Sequence, residues 1–314
     1  MSFSSEVKRE ITGIPLEPCC QRAQLSAFLH INSNLLIVNR TMQLQIKIEN
    51  ATIAKYLFSA IKNRYDVEIE LSVEKKQQLR KNNVYILTVL SKAIEILEDL
   101  GIYSSLGMRN APFAPITLNP CCKRSYLTGA FLASGSINAP TRSDYHMEIS
   151  TLDEKLSAFI LKLMNHEDLD GKLVKRRNRY VAYVKQADKI GDFLRICQAH
   201  NNLMSFEDER IQRDFRNSLT RLDNCEVANE MKTIKAGNSQ LDDIYLLIKH
   251  DQYNHIGEKL IQVADLRMDH PESSLNELLA IYKDTFGITL SKSGLQHRFK
   301  KISELAKQLD SDNL

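Results

Sequence analysis

Apolar and polar positions along the chain change rhythm in a fixed order, and that order occurs twice. The stretch QLSAFLHINSN (residues 24–34) predicts a helix with small residues on one side, running into a turn. MQLQIKI (42–48) alternates apolar and polar residues, the period of a strand with one wet face. In residues 51–65 Ile53, Leu57 and Ile61 recur three and four apart, which predicts a helix with one buried face. Two more strands, VEIELSV and VYILTVL, and a helix near residues 92–100 close the unit.

The same order returns at a shift of 102 residues: CCQRAQLSAFLHINS (19–33) aligns without a gap with CCKRSYLTGAFLASG (121–135). YHMEIST (145–151) answers MQLQIKI, and Leu156, Phe159 and Leu163 mark the next amphipathic helix. GKLVKR and YVAYVK supply two strands, and residues 188–199 a last helix. Each half therefore reads helix, two strands, helix, two strands, helix. Duplication predicts two four-stranded sheets about a pseudo-twofold axis. The first helix of each half lies on the axis, where Ser26, Ala27, Gly129, Ala130 and Ala133 permit close approach. This gives one α+β domain over residues 1–205, with repeats at about 19–105 and 121–200.

After Ala199 the strand rhythm stops. Residues 206–224 read as a helical connector, and 225–314 as a helical C-terminal domain with a helix-turn-helix at about 273–308. A helix near 258–270 stops at Pro271. The next starts from Ser273 or Ser274, has Glu277 placed for a capping box, and ends near Gly287. The last takes Ser291 as its N-cap. In it Leu295, Phe299, Ile302, Ala306 and Leu309 form an apolar stripe, opposite Lys292, Ser293, Gln296, His297, Lys300 and Lys301. The connection from Tyr282 to Leu290 reads as longer than the tight turn of the simplest helix-turn-helix.

Charge sharpens this picture. Net charge is only +3, so a nucleic-acid surface has to come from local clustering. From Asp251 onward there are eight basic and ten acidic residues, yet between Ser291 and Lys307 five Lys or Arg face one acid, Glu304. Basic charge gathered on one capped helix is the pattern of a recognition helix. Gln296 has the right chemistry to read adenine in the major groove, and Lys292 to reach guanine. Two hairpins are also basic, one carrying Lys75, Lys76, Arg80 and Lys81, the other Lys175, Arg176, Arg177 and Arg179. Phosphate contact and a solvated hairpin that blocks edge pairing explain them equally well.

Other chemistry is sparse. The six cysteines include two adjacent pairs, Cys19-Cys20 and Cys121-Cys122, without the spacer that turns two sulfurs toward one zinc. Reduced, partly buried thiols are expected, with no metal and no cofactor. No run approaches the eighteen or so apolar residues of a membrane span, and the N-terminus is charged from Glu6 onward. A cytoplasmic protein is the default.

LTGAFLASG (127–135) resembles the nine-residue motif of LAGLIDADG homing endonucleases position by position, and LSAFLHINS (25–33) is a weaker copy. That resemblance implies an acid at the eighth motif position of each copy, where paired carboxylates hold catalytic metal ions. Here those degenerate metal positions are Asn32 and Ser134, and the sixth positions are His30 and Leu132. Nuclease activity is not expected, although Asp144 or Glu148 could supply acid from a strand. Over the whole chain MSFSSEVKREI, the CC pairs, YLTGAFLASGSINAP, RLDNCEVANEMKT and LSKSGLQHRFKKI are similar to segments of the WhiA family of bacterial DNA-binding regulators. Membership implies a duplicated αββαββα LAGLIDADG-like domain followed by an all-α helix-turn-helix domain. It implies a non-enzymatic, nucleoid-associated transcription regulator that binds double-stranded DNA. Its roles would lie in cell division, chromosome segregation and, in spore-formers, sporulation, with other division or regulatory proteins as further partners. A protein-interaction scaffold with weak DNA binding and a residual metal-dependent nuclease are the alternatives.

Overall fold

The computed structural model describes residues 2–75 and 83–311, and the chain divides into two compact units, Met1–Arg213 and Asp214–Leu314. Lys76, Arg80 and Lys81 lie outside the described residues.

The first unit opens with α1 (Phe3–Thr12), whose cap Ser2 accepts a hydrogen bond from the Ser5 amide and which buries Val7 and Ile11. Then come α2 (Pro18–Asn32), β1 (Ser33–Val38) and β2 (Thr41–Ile48). Asn39 and Arg40, between the two strands, both take left-handed φ values (50° and 63°). Such a pair makes the two-residue turn whose twist suits an antiparallel hairpin. Helix α3 (Ala51–Tyr65) starts from Asn50, whose side chain accepts from the amides of Thr52 and Ile53. β3 (Ile69–Lys75), β4 (Asn83–Val89) and α4 (Ala93–Asp99) complete the first repeat, and a short hairpin, β5 (Tyr103–Ser104) with β6 (Gly107–Met108), follows it. The second repeat is α5 (Pro120–Ser134), β7 (Gly135–Ile137), β8 (Met147–Thr151), α6 (Glu154–His166), β9 (Lys172–Arg176), β10 (Arg179–Val184) and α7 (Ala187–Ile196).

Both sheets are antiparallel and share one topology, β1-β2-β4-β3 and β7-β8-β10-β9, as the duplicated pattern predicts. One detail differs. No turn separates the first helices from their sheets: Ser33 begins β1 directly after Asn32, and Gly135 begins β7 directly after Ser134.

Helices α2 and α5 pack against each other through the small residues on their facing sides. At Gly129 the approach is closest, since a Cβ there would lie 2.2 Å from the carbonyl oxygen of Gln24. Further along, Asn32 Nδ2 donates to the Ala133 carbonyl across the pair at 3.1 Å. Around them Leu25, Phe28, Leu29, Leu127, Ala130 and Phe131 are fully buried and join the inner sheet faces in one core.

Helix α8 (His200–Lys249) starts where Glu10 of α1 accepts from the amides of Asn201 and Asn202 at 2.8 and 3.0 Å, filling its orphan N-terminal donors. The polar composition of this region suggests several connecting helices, but they form one. No proline interrupts residues 200–249, and the single glycine, Gly237, makes a close contact: a Cβ there would lie 2.6 Å from the Pro271 carbonyl.

In the second unit α9 (Glu258–Asp269), α10 (Leu275–Phe286) and α11 (Lys292–Ser311) bury Val263, Leu278, Tyr282, Leu295 and Ile302 with Ile244 and Leu247 of α8. Ser274 and Glu277 make the capping box at the start of α10, and Gly287 ends that helix in the left-handed region.

Replacing Gly129 by alanine gains about 1 kcal/mol of helix propensity, against an overpacking cost of about 1–3 kcal/mol where backbone blocks the methyl. The expected outcome is a lower Tm for G129A by thermal denaturation; a raised Tm would contradict the close approach of α2 and α5.

Candidate nucleic-acid interface

In α11 the apolar stripe is core and the opposite face is solvent. Leu295, Phe299, Ile302 and Ala306 are buried, while Ser291, Lys292, Ser293, Gln296, His297, Lys300 and Lys301 are all exposed. Ser291 caps the helix by accepting from the Gly294 amide at 3.1 Å. The connection before it is shorter than the sequence suggests. Helix α10 runs on to Phe286, whose ring lies tilted against that of Tyr282 on the same face, with centroids 4.8 Å apart. Only residues 287–291 remain between the helices.

Not every cation here faces solvent. Arg298 donates to the Tyr282 hydroxyl at 2.9 Å, and Tyr282 in turn donates to Gln262 Oε1 at 2.8 Å, so this chain ties α11 to α10 and α9. Arg267 is buried at 2% exposure, donating from Nη1 to the carbonyls of Ser273, Pro271 and His270 and from Nε to Gln240. Charge-assisted bonds to those loop carbonyls hold the α9–α10 corner, and burial pushes the pKa of the guanidinium down. Neither role is legible in the sequence, where both arginines count as basic charge. Lys300 sits 3.8 Å from Glu304, an exposed pair of little energetic weight.

The basic hairpins divide by sheet face. Lys175 pairs with Tyr180, opposite Thr151, on the core side of its sheet, and its ammonium lies over the Tyr180 ring at 5.3 Å. Lys75 likewise follows Ile69 on the core-side parity of β3. Arg176 and Arg179 pair with each other on the opposite face, the one carrying Ser150 and Glu148. Arg179 donates to the Ser150 hydroxyl and carbonyl at 3.2 and 3.1 Å. Arg177 is exposed at the hairpin tip, where its φ of 54° makes the turn.

A cleft opens where α2 and α5 end. Its lining includes Lys8, Asn32, Lys47, Glu49, Ser134 and Arg179. The Ser134 hydroxyl is buried and has no hydrogen-bond partner among the described residues. Three cations and one carboxylate give this cleft a positive field, suited to an anion. His30, at the sixth motif position, is half-buried, and Nε2 meets the Arg109 carbonyl at 2.7 Å; burial pushes its pKa down despite that contact. Of the two acids expected on a strand, only Glu148 lies on one, engaged by His146 at 2.9 Å and Arg176 at 3.3 Å, while Asp144 falls in a bend before β8 and accepts from Asn138 at 3.1 Å. Lys8 escaped sequence inspection because its signal, burial beneath the paired helices, exists only in the fold.

This geometry defines a class: a duplicated LAGLIDADG-like domain joined to a helix-turn-helix domain. Residues 18–103 match the WhiA N-terminal LAGLIDADG-like domain, 123–216 the WhiA LAGLIDADG-like domain, and 219–306 the WhiA C-terminal HTH domain. The chain belongs to the WhiA family. A protein of Bacillus licheniformis named probable cell division protein WhiA is 43% identical, covering 99% of this chain and 98% of that one. A Bacillus cereus protein of the same name is 45% identical, covering 98% and 97%. The full-length DUF199/WhiA of Thermatoga maritima is similar in fold, with a TM-score of 0.59 at 22% identity over 98% of this chain and 99% of that one. Among the described residues no helix is long and apolar enough to cross a membrane.

Burial pushes the Lys8 pKa from 10.5 down to about 8. Between those two values the unfolded chain holds the proton and the folded chain has lost it, so this group makes stability rise with pH across that window. Titration of a 13C-methyl label on Lys8 is expected to give a midpoint near pH 8. A midpoint above 10 would contradict the buried placement.

Proposed function

We propose that the chain is a non-enzymatic, sequence-reading double-stranded DNA-binding protein that acts as a transcription regulator in cell division and chromosome segregation. In a spore-forming host this role extends to sporulation. The observation that carries the reading is the face of α11, where Lys292, Gln296, His297, Lys300 and Lys301 lie exposed together behind a capped N-terminus. Such a helix presents donors and cations to a major groove. Phosphate contacts from Lys75, Lys175, Arg176, Arg177, Arg179 and the cationic cleft would add affinity without reading sequence.

Absence of cleavage follows from the cleft's chemistry. Activating water on a phosphodiester requires carboxylates that gather divalent cations, and at the ends of α2 and α5 stand an amide, Asn32, and a hydroxyl, Ser134, above Lys8. The half-buried Lys8 ammonium would repel the metal ions that carboxylates at these positions would hold. The cell-division role rests on the name carried by the Bacillus relatives. Binding to DNA would place the protein at the nucleoid, where division and regulatory proteins become its further partners.

The test is binding of selected genomic fragments by full-length variants across a salt series. Gln296→Ala is expected to weaken the best fragment by about 10- to 100-fold and to relax sequence preference, as loss of one bidentate base contact does. Lys301→Ala is expected to weaken all fragments alike and reduce the salt slope by about one. Unchanged selectivity in Gln296→Ala and Lys292→Ala together would contradict sequence reading by α11 and favour a protein-interaction scaffold.

A further inference from the structure

The two Cys-Cys pairs, each without the spacer of a zinc motif, are brought together by the fold. Cys19 and Cys20 follow Pro18 in the first turn of α2, and Cys121 and Cys122 follow Pro120 in the first turn of α5. Pseudo-symmetric packing sets those two helix starts side by side. All four Sγ atoms lie within 4.8 Å of one another, and those of Cys121 and Cys122 are 3.9 Å apart. A tetrahedral thiolate site with metal–sulfur bonds of about 2.3 Å separates its sulfurs by about 3.8 Å. Small side-chain rotations bridge the difference.

We propose that Cys19, Cys20, Cys121 and Cys122 form a tetrathiolate zinc centre that clasps the two repeats together at the starts of α2 and α5. Two ligands come from each repeat, so neither half can build the site alone. Cys20 and Cys122 are buried and Cys19 and Cys121 exposed, which gives a held inner pair and an outer pair reachable by an incoming ion. Four thiolates around one divalent zinc leave a charge of −2, which the two helix starts partly offset. Neither helix has an acid in its first turn or a side-chain cap bond, and although Glu17 stands at the N-cap of α2, the positive ends of both helix dipoles face the sulfurs. Arg22 and Arg64 line the cavity beside Cys19 and Cys122, both also paired with Asp99, and Arg124 and Arg195 line the cavity beside Cys20 and Cys121 while paired with Glu167 and Asp192. Soft sulfur ligands select zinc over the magnesium or calcium that a nuclease centre would take. The clasp lies about 20 Å from the cleft at Asn32 and Ser134, at the other ends of the same helices, by the 1.5 Å rise per residue. On loading, the four thiols lose their protons to solvent, so uptake strengthens with pH.

The test uses the full chain purified under reducing conditions. Elemental analysis is expected to find about one zinc per chain. The metal-free protein titrated with cobalt(II) should develop the intense visible bands of tetrahedral thiolate cobalt, saturating at one equivalent. Zinc should also raise Tm in the metal-free protein. Cys121→Ser, at an exposed ligand, is expected to abolish the cobalt bands under competition with a chelator, whereas Cys225→Ser, exposed elsewhere, leaves them intact. Two results would overturn the proposal. One is a metal-free protein whose thiols all react with Ellman's reagent and which shows no cobalt spectrum. The other is peptide mapping that finds Cys19, Cys20, Cys121 and Cys122 joined in disulfides in freshly purified protein. The cobalt titration of the unsubstituted chain decides the matter even where a variant fails to fold.

Discussion

The contact between Gly129 and the backbone of Gln24 is the constraint on which the first unit turns. Two helices meet this closely only where one of them lacks a side chain, and everything else in the duplicated domain is placed by that meeting. Because the helices run side by side, their starts gather four cysteines and their ends bring Asn32 next to Ala133 and Ser134. Because each helix runs straight into the first strand of its own sheet, the two sheets inherit the same pseudo-symmetry. A larger residue at position 129 would disturb both ends at once.

Charge is deployed by position rather than by amount. With a net charge of +3 the chain has no bulk attraction for nucleic acid, yet cations collect at the cleft and on one face of α11. Burial decides what each cation can do. Arg267 and Arg298 are held by carbonyls, an amide and a hydroxyl and serve the architecture of the second unit. Lys8 is partly desolvated beneath the paired helices, and its ammonium lies 5.3 Å from the Phe131 ring centroid. Lys292 and Lys301 keep their solvation and remain available to phosphate or base.

Much of this was legible in the sequence because the signals were local. Period-two alternation in MQLQIKI and the capping residues Ser274 and Ser291 each act within a few residues of chain, and each stands where the spacing predicts. The duplication was legible for a different reason, since a gapless repeat survives inspection without any structure. What escaped was set by contacts distant in the chain. The spacer rule treats Cys19-Cys20 and Cys121-Cys122 separately, and only the pseudo-twofold joins them. The continuity of α8 was hidden because polar composition suggests breaks, whereas helices end at prolines, glycines and caps, and Gly237 alone does not suffice. Arg267 and Arg298 enter the sequence reading only as counted basic charge, because sequence does not say which guanidinium points inward.

Binding without cleavage is the behaviour proposed for this nuclease-like scaffold. Incubating the protein with its best-bound duplex, under magnesium and then manganese, and resolving both strands on a denaturing gel separates the two. A saturated complex with every strand intact over hours is the expected result. Strand scission that depends on the divalent ion and disappears in Glu49→Gln or Glu148→Gln would refute it and point to a working metal site at the acid of the cleft or of β8.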